Sequence, residues 1–299
     1  MLRIVFMGTP EFSVPILEAL IKEYNVVMVV TQPDKEVGRK REIVCSPVKK
    51  CALEHDIPVF QPTKIRVDYQ PILDANPDLI VTAAYGQIVG MKLLNAPKYR
   101  SINVHASLLP KYRGGAPIHY SVINGDKETG ICTMITELGL DCGDICQKLV
   151  IPISATMNCE ELWNEIAEKS PKMIEQTLIG LTNGTLTPEK QCEDGVCMAN
   201  KLTKEECEID WCKSNIQIHN LVRGVWRCPS AFFYYNDKLI KVIETTPLND
   251  EIPTGTVRIN SKDGIDVGCG IGAIRLLKVK PEGKGEMPAR DWFNGVKKG

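Results

Sequence analysis

Asn103 and His105 stand two residues apart in the stretch INVHASLLPKYRGGAP (residues 102–117), and Asp141 follows in LGLDCGD. An amide, an imidazole and a carboxylate suit acyl transfer to an amine. That reaction passes through a tetrahedral intermediate with a developing oxyanion, to which an amide NH2 can donate a hydrogen bond. An imidazole can donate as well when protonated, or take a proton from the attacking nitrogen when neutral. Such a histidine needs a carboxylate to orient it and set its proton affinity, and Asp141 is the candidate. Each residue alone has a plainer reading. A single His is commonly a structural residue, and an Asp among small, turn-prone residues commonly bonds its own backbone. Only the combination points to chemistry.

The elements that must position these groups are legible in the hydrophobic pattern. Ser101 to Ala106 reads as a strand. Alternation puts Ile102, Val104 and Ala106 on the packing side, and Asn103, His105 and Ser107 together on the other. Leu2–Phe6, Val26–Val30 and Leu79–Ala83 are continuous apolar runs, as in strands buried on both faces. Ile131–Glu137 and Ile145–Ile153 read as two more strands. Ser13–Lys22, Pro47–His55 and Asn158–Leu181 read as helices, the last with Leu162, Ile166, Met173, Ile174 and Leu178 on its apolar face. Strands alternating with helices predict an α/β fold with a mostly parallel sheet, whose sites lie beyond the carboxyl ends of the strands. The informative loops, after Val30, Ala83 and His105, fall there. The stretch TQPDKEVGRKREIVCSP reads as a long polar loop.

From about Thr185 the character changes. TPEKQCEDGVCMANKLTKEE is polar and without period, so it reads as a linker; Cys212–Val225 reads as a helix, and short strands with turn signals then resemble a small β-barrel. The glycine-rich Gly268–Gly272 lies between two strand-like runs rather than opening a helix, so it reads as a turn and not a phosphate loop.

Composition narrows the class. The chain has 299 residues, which suggests two domains, with 43% hydrophobic and 24% charged residues and a formal net charge of -1. No global field recruits a polyanion. Residues 1–200 carry about -4 and residues 201–299 about +3, which makes the C-terminal part the basic end. The 12 cysteines form no CxxC pair and lack zinc-like spacing, so they read as reduced, buried thiols without a metal. No signal peptide and no membrane-spanning run is evident, and a reducing, cytoplasmic home is expected.

The pattern Asn-x-His-x-Ser-Leu-Leu-Pro-x-Tyr-Arg-Gly followed by Gly-Leu-Asp-x-Gly-Asp resembles the folate-dependent formyltransferase family. RIVFMGTPEF, TQPDKEVGRK, SPVK, KLTKEECEIDW and GKGEMPARDWFNG extend the likeness nearly end to end. The resemblance implies a Rossmann-like catalytic domain over residues 1–188, a linker over 189–207 and an OB-like β-barrel over 208–299. It implies formyl transfer from 10-formyltetrahydrofolate to the α-amine of initiator methionyl-tRNA, by a monomer without metal. By position, Asn103, His105 and Asp141 would be catalytic. Ser107, Leu108, Leu109 and Pro110 would line the folate site, helped by the backbone near Tyr85, Gly86 and Gln87. Arg39, Lys40 and Arg41 would meet the tRNA acceptor end, and Lys238, Lys241, Arg258, Arg275 and Lys278 would track its phosphates. RCPSAF stands where relatives usually carry an aromatic-Pro-Gly pattern. Formylation of a sugar amine or another small amine is the alternative, and a nucleic-acid-binding module with a decayed catalytic domain is the non-enzyme rival.

Overall fold

The computed structural model describes residues 1–37, 41–259 and 264–297. The chain divides into two compact units. Met1–Pro117, Thr129–Pro152 and Trp163–Asn200 form the first; Ile118–Glu128, Ile153–Leu162 and Lys201–Gly299 form the second.

Among the described residues, the main sheet of the first unit has seven strands. Their order is Val59–Phe60, Asn25–Val30, Arg3–Gly8, Leu79–Ala83, Ser101–His105, Glu128–Ile135 and Ile145–Pro152. The first five run parallel and Glu128–Ile135 joins antiparallel, so the expected mostly parallel sheet is present. Ile4, Val5, Phe6 and Met7 are all fully buried, as a continuous apolar run in a central strand requires. Helix Val14–Glu23 buries Ile16, Leu17 and Leu20. Helix Pro47–Glu54 starts at Ser46, whose hydroxyl accepts the Lys49 N–H. The strand ends converge as expected. The Tyr85 carbonyl accepts hydrogen bonds from Thr9 Oγ1 and Gln32 Nε2, both at 3.0 Å, and so ties three strand-end loops together.

Two stretches differ from the sequence reading. TQPDKEVGRKREIVCSP is not all loop: Lys35–Val37 and Glu42–Val44 pair as an antiparallel hairpin. Three-residue strands in which half of the side chains are charged are too short to carry a periodic signal, which is why the pattern missed them. The stretch after Thr185 is not a bare connection either. Glu189 bridges to Ile145, and Met198 bridges to Arg113. Isolated bridges to irregular segments leave no repeat in the sequence.

The second unit is built on an antiparallel sheet in the order Ala231–Tyr235, Lys238–Leu248, Ala273–Pro281, Ile265–Gly268, Val257–Arg258, with Met287–Pro288 on Ala273–Pro281. This agrees with the OB-like expectation. Gly268–Gly272 turns between two strands, as read. Helix Asn215–Gly224 opens with a capping box between Ser214 and Gln217. Helix Ala289–Lys297 was not legible from the pattern; its Trp292 and Phe293 pack edge-on with Phe233 and Tyr235.

His219 in this unit gives a pH prediction. Burial pushes its pKa below the usual histidine value, and its Nδ1 lies 2.9 Å from Thr245 Oγ1. The unfolded chain therefore binds this proton more readily than the folded one. The neutral ring's contribution to stability is complete above the unfolded value of about 6.5 and is lost as pH falls through the lower folded value. The Tm of the intact chain is expected to fall less between pH 7 and pH 5 in His219→Gln than in the parent. An identical slope in the two proteins would refute this.

Candidate active site

Strand register brings the first pair together. Thr82 and Asn103 are direct partners on adjacent parallel strands, and the Thr82 hydroxyl donates to Asn103 Oδ1 at 2.8 Å. The amide nitrogen is thereby turned the other way, and Nδ2 donates to Asp141 Oδ1 at 3.4 Å. A carboxylate can only accept, so both neighbours fix the same amide orientation.

His105 is 6% exposed. Its Nε2 lies 2.9 Å from the Tyr112 carbonyl oxygen. A carbonyl can only accept, so Nε2 carries the proton in the neutral ring. Its Nδ1 faces Asp141 Oδ2 at 3.6 Å, too long for a hydrogen bond but close for a charge contact once the ring is protonated. Nδ1 is therefore the nitrogen free to gain and release a proton. The sequence reading gave the orienting role to Asp141; the Tyr112 carbonyl holds the ring and Asp141 supplies the charge.

Asp141 sits in the left-handed region at φ 46, a conformation its short polar side chain tolerates. Its Oδ2 also accepts the Gly114 N–H at 2.9 Å. Gly114 has φ +126, and a Cβ there would lie 2.6 Å from the Ala199 carbonyl oxygen. Only glycine offers that amide to the carboxylate. Asn103 and His105, from one strand, and Asp141, 38 residues beyond Asn103, thus meet around one point in the first unit.

The residues assigned to the folate fare differently. The Ser107 hydroxyl is buried and donates to the Lys111 carbonyl at 2.6 Å. Leu108 and Pro110 are half-buried. Leu109 is 0% exposed and packs with Cys132, Met134 and Ile145. Its side chain fills the core and does not offer apolar contact to a ligand, which corrects the role given to it. Buried residues of a strand-end loop look the same as lining residues in sequence. Tyr85 is buried, with its hydroxyl pushed up to about 12 by that burial. Gly86 is exposed with φ +89. Gln87 is engaged, with Nε2 donating to the Pro62 carbonyl at 3.1 Å and Oε1 accepting the Ile65 N–H at 2.9 Å.

Of the basic loop residues, Arg39 and Lys40 lie outside the described residues. Arg41 is exposed, with Nε 3.7 Å from a Glu36 carboxylate oxygen. The base of the hairpin is clamped. Lys49 Nζ donates to Asp34 Oδ2 at 2.6 Å and to Gln61 Oε1 at 2.7 Å, while Gln61 Nε2 donates to Asp34 Oδ1 at 2.8 Å. These bonds hold the Asp34 carboxyl below its ordinary range, Lys49 foremost.

Most of the barrel cations have partners within the unit. Arg258, Asp266 and Arg275 stand opposite one another on three adjacent strands. Arg275 Nε donates to Asp266 Oδ1 at 2.7 Å, Asp266 is 0% exposed, and Arg258 also pairs with Asp250. Lys278 lies 3.7 Å from Glu244, and Lys241 donates to the Pro229 carbonyl at 2.9 Å. Arg258 and Arg275 serve cross-strand pairing, which register decides and sequence alone does not display. Lys238 is exposed.

Three contributors were missed from sequence: the Thr82 hydroxyl, the Tyr112 carbonyl and the Gly114 amide. A polar Thr inside the buried run LIVTA was the available signal for the first; backbone groups give none. Two cysteines also acquire a use. Cys132 Sγ accepts the Leu109 N–H at 3.3 Å, and Cys197 Sγ accepts the Tyr112 N–H at 3.2 Å, so thiols fasten the loop beyond His105. Burial pushes the Cys132 thiol up to about 11, which keeps it protonated at neutral pH. Among the described residues no group of His, Cys, Asp and Glu could hold a metal, and no helix is long and apolar enough to cross a membrane.

Comparisons with known proteins place the chain in a family. The Formyl transferase profile matches residues 2–178, and the Formyl transferase, C-terminal domain profile matches residues 201–297. A methionyl-tRNA formyltransferase from Citrifermentans bemidjiense is 43% identical over 299 residues, covering 99% of this chain and 94% of its own. One from Ruminiclostridium cellulolyticum is 44% identical, with coverage of 99% and 97%. Among solved structures, the sugar 3N-formyl transferase WlaRD, crystallised with dTDP and 5-N-formyl-THF, gives a TM-score of 0.69 at 18% identity, covering 95% of this chain and 99% of its own. HypX from Aquifex aeolicus in complex with tetrahydrofolic acid gives 0.66 at 14%, covering 100% of this chain and 48% of its own. Those two likenesses establish a shared fold, while the profile matches and the full-length relatives go further: this chain belongs to the formyl transferase family.

Proposed function

We propose that the protein transfers a formyl group from 10-formyltetrahydrofolate to the α-amine of initiator methionyl-tRNA. The observation that carries this reading is identity of 43% over 99% of the chain to a methionyl-tRNA formyltransferase, joined to a site whose donors suit an acyl-transfer oxyanion. The methionyl ammonium first loses a proton to water to become a nucleophile. The amine nitrogen then bonds to the formyl carbon. Asn103 has two amide hydrogens; Asp141 takes one, and the other serves the developing oxyanion. His105 Nδ1 takes the second proton from the attacking nitrogen and delivers it to N10 as the bond from N10 to carbon breaks. The Asp141 carboxylate, 3.6 Å from Nδ1, faces the ring nitrogen that carries the proton in transit. Half-buried Leu108 and Pro110 and the exposed backbone at Gly86 are the surfaces that suit the donor. The hairpin Lys35–Val37 and Glu42–Val44, clamped at its base by Asp34, Lys49 and Gln61, would present Arg41 to the acceptor end of the tRNA.

A sugar-nucleotide amine is the second acceptor to test, because WlaRD shares the fold. Its 18% identity weighs less than 43% over the full length. Charged initiator tRNA and an amino-sugar nucleotide are offered together with the formyl donor, and the products are weighed by mass spectrometry. One formyl group is expected on the methionine amine. A gain on the sugar alone would replace this reading with the other.

A further inference from the structure

We propose that Gln191 and Arg113 are positioning residues for the proposed catalytic pair, forming a buried bridge that sets the distance and orientation between Asp141 and His105. The inference rests on the reading of the site given above. Gln191 belongs to the polar, aperiodic stretch that looks like a linker in sequence. In the fold it is 5% exposed and Arg113 is 8% exposed. Long polar side chains are buried only when their hydrogen bonds are met.

The bonds made by Gln191 join two loops. Its Nε2 donates to the Asp141 carbonyl at 2.8 Å and to the Gly143 carbonyl at 2.7 Å. Its Oε1 accepts from Arg113 Nε at 3.2 Å and from Arg113 Nη2 at 2.9 Å. Both amide hydrogens and the amide oxygen are thus used. The amide orientation is settled as well, since carbonyls demand the nitrogen and a guanidinium demands the oxygen.

Arg113 lies between the two backbone groups that hold the pair. Tyr112 on one side supplies the carbonyl bonded to His105 Nε2, and Gly114 on the other supplies the amide bonded to Asp141 Oδ2. A closed ring results: Asp141 carboxylate, Gly114 amide, Arg113 guanidinium, Gln191 amide, Asp141 carbonyl. The ring fixes Asp141 at both its main chain and its side chain. That matters at φ 46, where the backbone has other conformations to relax into. The main chain around Arg113 is strapped by the same segment: Arg113 N donates to the Cys197 carbonyl at 2.9 Å, and Ala199 N to the Arg113 carbonyl at 2.7 Å. Gln191 and Arg113 touch none of the reacting atoms; they act through Asp141 and through the Tyr112 carbonyl.

Two variants of the full chain test this. Gln191→Met keeps the length and fills the space but removes all four hydrogen bonds. Arg113→Lys keeps the charge but not the fork. Folding is checked by near-UV circular dichroism. Formylation is measured at saturating donor, and the His105 ring nitrogens are read by 15N NMR at a pH where the ring is neutral. Misplacement of this kind lowers turnover by up to about a hundredfold. Gln191→Met is expected to lower kcat by about ten- to a hundredfold and Arg113→Lys by less, with KM for the donor within about twofold. The His105 spectrum should change from one tautomer, protonated at Nε2, to a mixture. A structural role alone would lower Tm and leave that spectrum untouched. A folded Gln191→Met with kcat within about threefold of the parent and an unchanged His105 spectrum overturns the proposal; if that variant does not fold, Arg113→Lys is judged by its His105 spectrum alone. Should the parent chain fail to formylate charged tRNA, the functional reading fails, and the NMR result still decides the bridge.

Discussion

His105→Ala is expected to lower kcat by about two to four decades, the contribution of a positioned general acid–base group. The argument is geometric. Nε2 is committed to the Tyr112 carbonyl, so Nδ1 alone can exchange a proton at the site, and alanine removes it. The substitution also leaves the buried Tyr112 carbonyl without its donor, which by itself destabilises by about 1–3 kcal/mol. His105→Gln separates the two effects. Its amide can donate to the carbonyl and restore the loop, but it cannot shuttle a proton. Tm should therefore recover in His105→Gln while kcat stays low. Recovery of kcat together with Tm would mean that the ring is a structural pin. Single-turnover rates on folded protein make the comparison direct.

Asn103→Ala is expected to lower kcat by about two to three decades, the loss seen when one oxyanion donor is removed. KM for the formyl donor should change little, because the interaction exists only once the carbonyl oxygen carries charge. Stability should change little as well. The Thr82 hydroxyl loses Asn103 Oδ1 but keeps the Ile102 carbonyl within reach at 3.3 Å. A variant that loses affinity for the donor and retains kcat would place Asn103 in ground-state binding instead. Asn103→Asp is a sharper form of the same test. It puts a second carboxylate beside Asp141 and an acceptor where a donor is required, so turnover should fall at least as far.

What could be read in advance, and what could not, follows from which forces leave a periodic trace. The buried strands Arg3–Gly8, Leu79–Ala83 and Ser101–His105 are runs of apolar residues long enough to see, and alternation along the last put Asn103 and His105 on one side. Asp141 was found by type and by its turn-prone neighbours. The partners that hold these groups are main-chain atoms and side chains from other strands. Thr82 meets Asn103 because of register, and the Tyr112 carbonyl meets His105 across a turn that the Lys111 N–H closes on the Leu108 carbonyl. The same limit hides other partnerships. Arg258 and Arg275 look like solvent-facing cations until the register sets Asp266 between them. Gln191 looks like part of a polar connection until its amide is seen bonded to three residues of the site. Leu109 shows that a leucine in a site loop can belong to the core.

The central claim is that Asp141 works through His105 as one unit, and a double-mutant cycle tests it most directly. Asp141→Asn keeps an oxygen for the Gly114 amide while removing the charge beside Nδ1. Turnover is measured for Asp141→Asn, His105→Ala and the double variant, each verified as folded. Residues that act as a unit lose their effects non-additively. Asp141→Asn should cost at least about tenfold in the parent background and less than about threefold once His105 is gone. If its full cost persists in the His105→Ala background, the two side chains act separately and the site does not work as described.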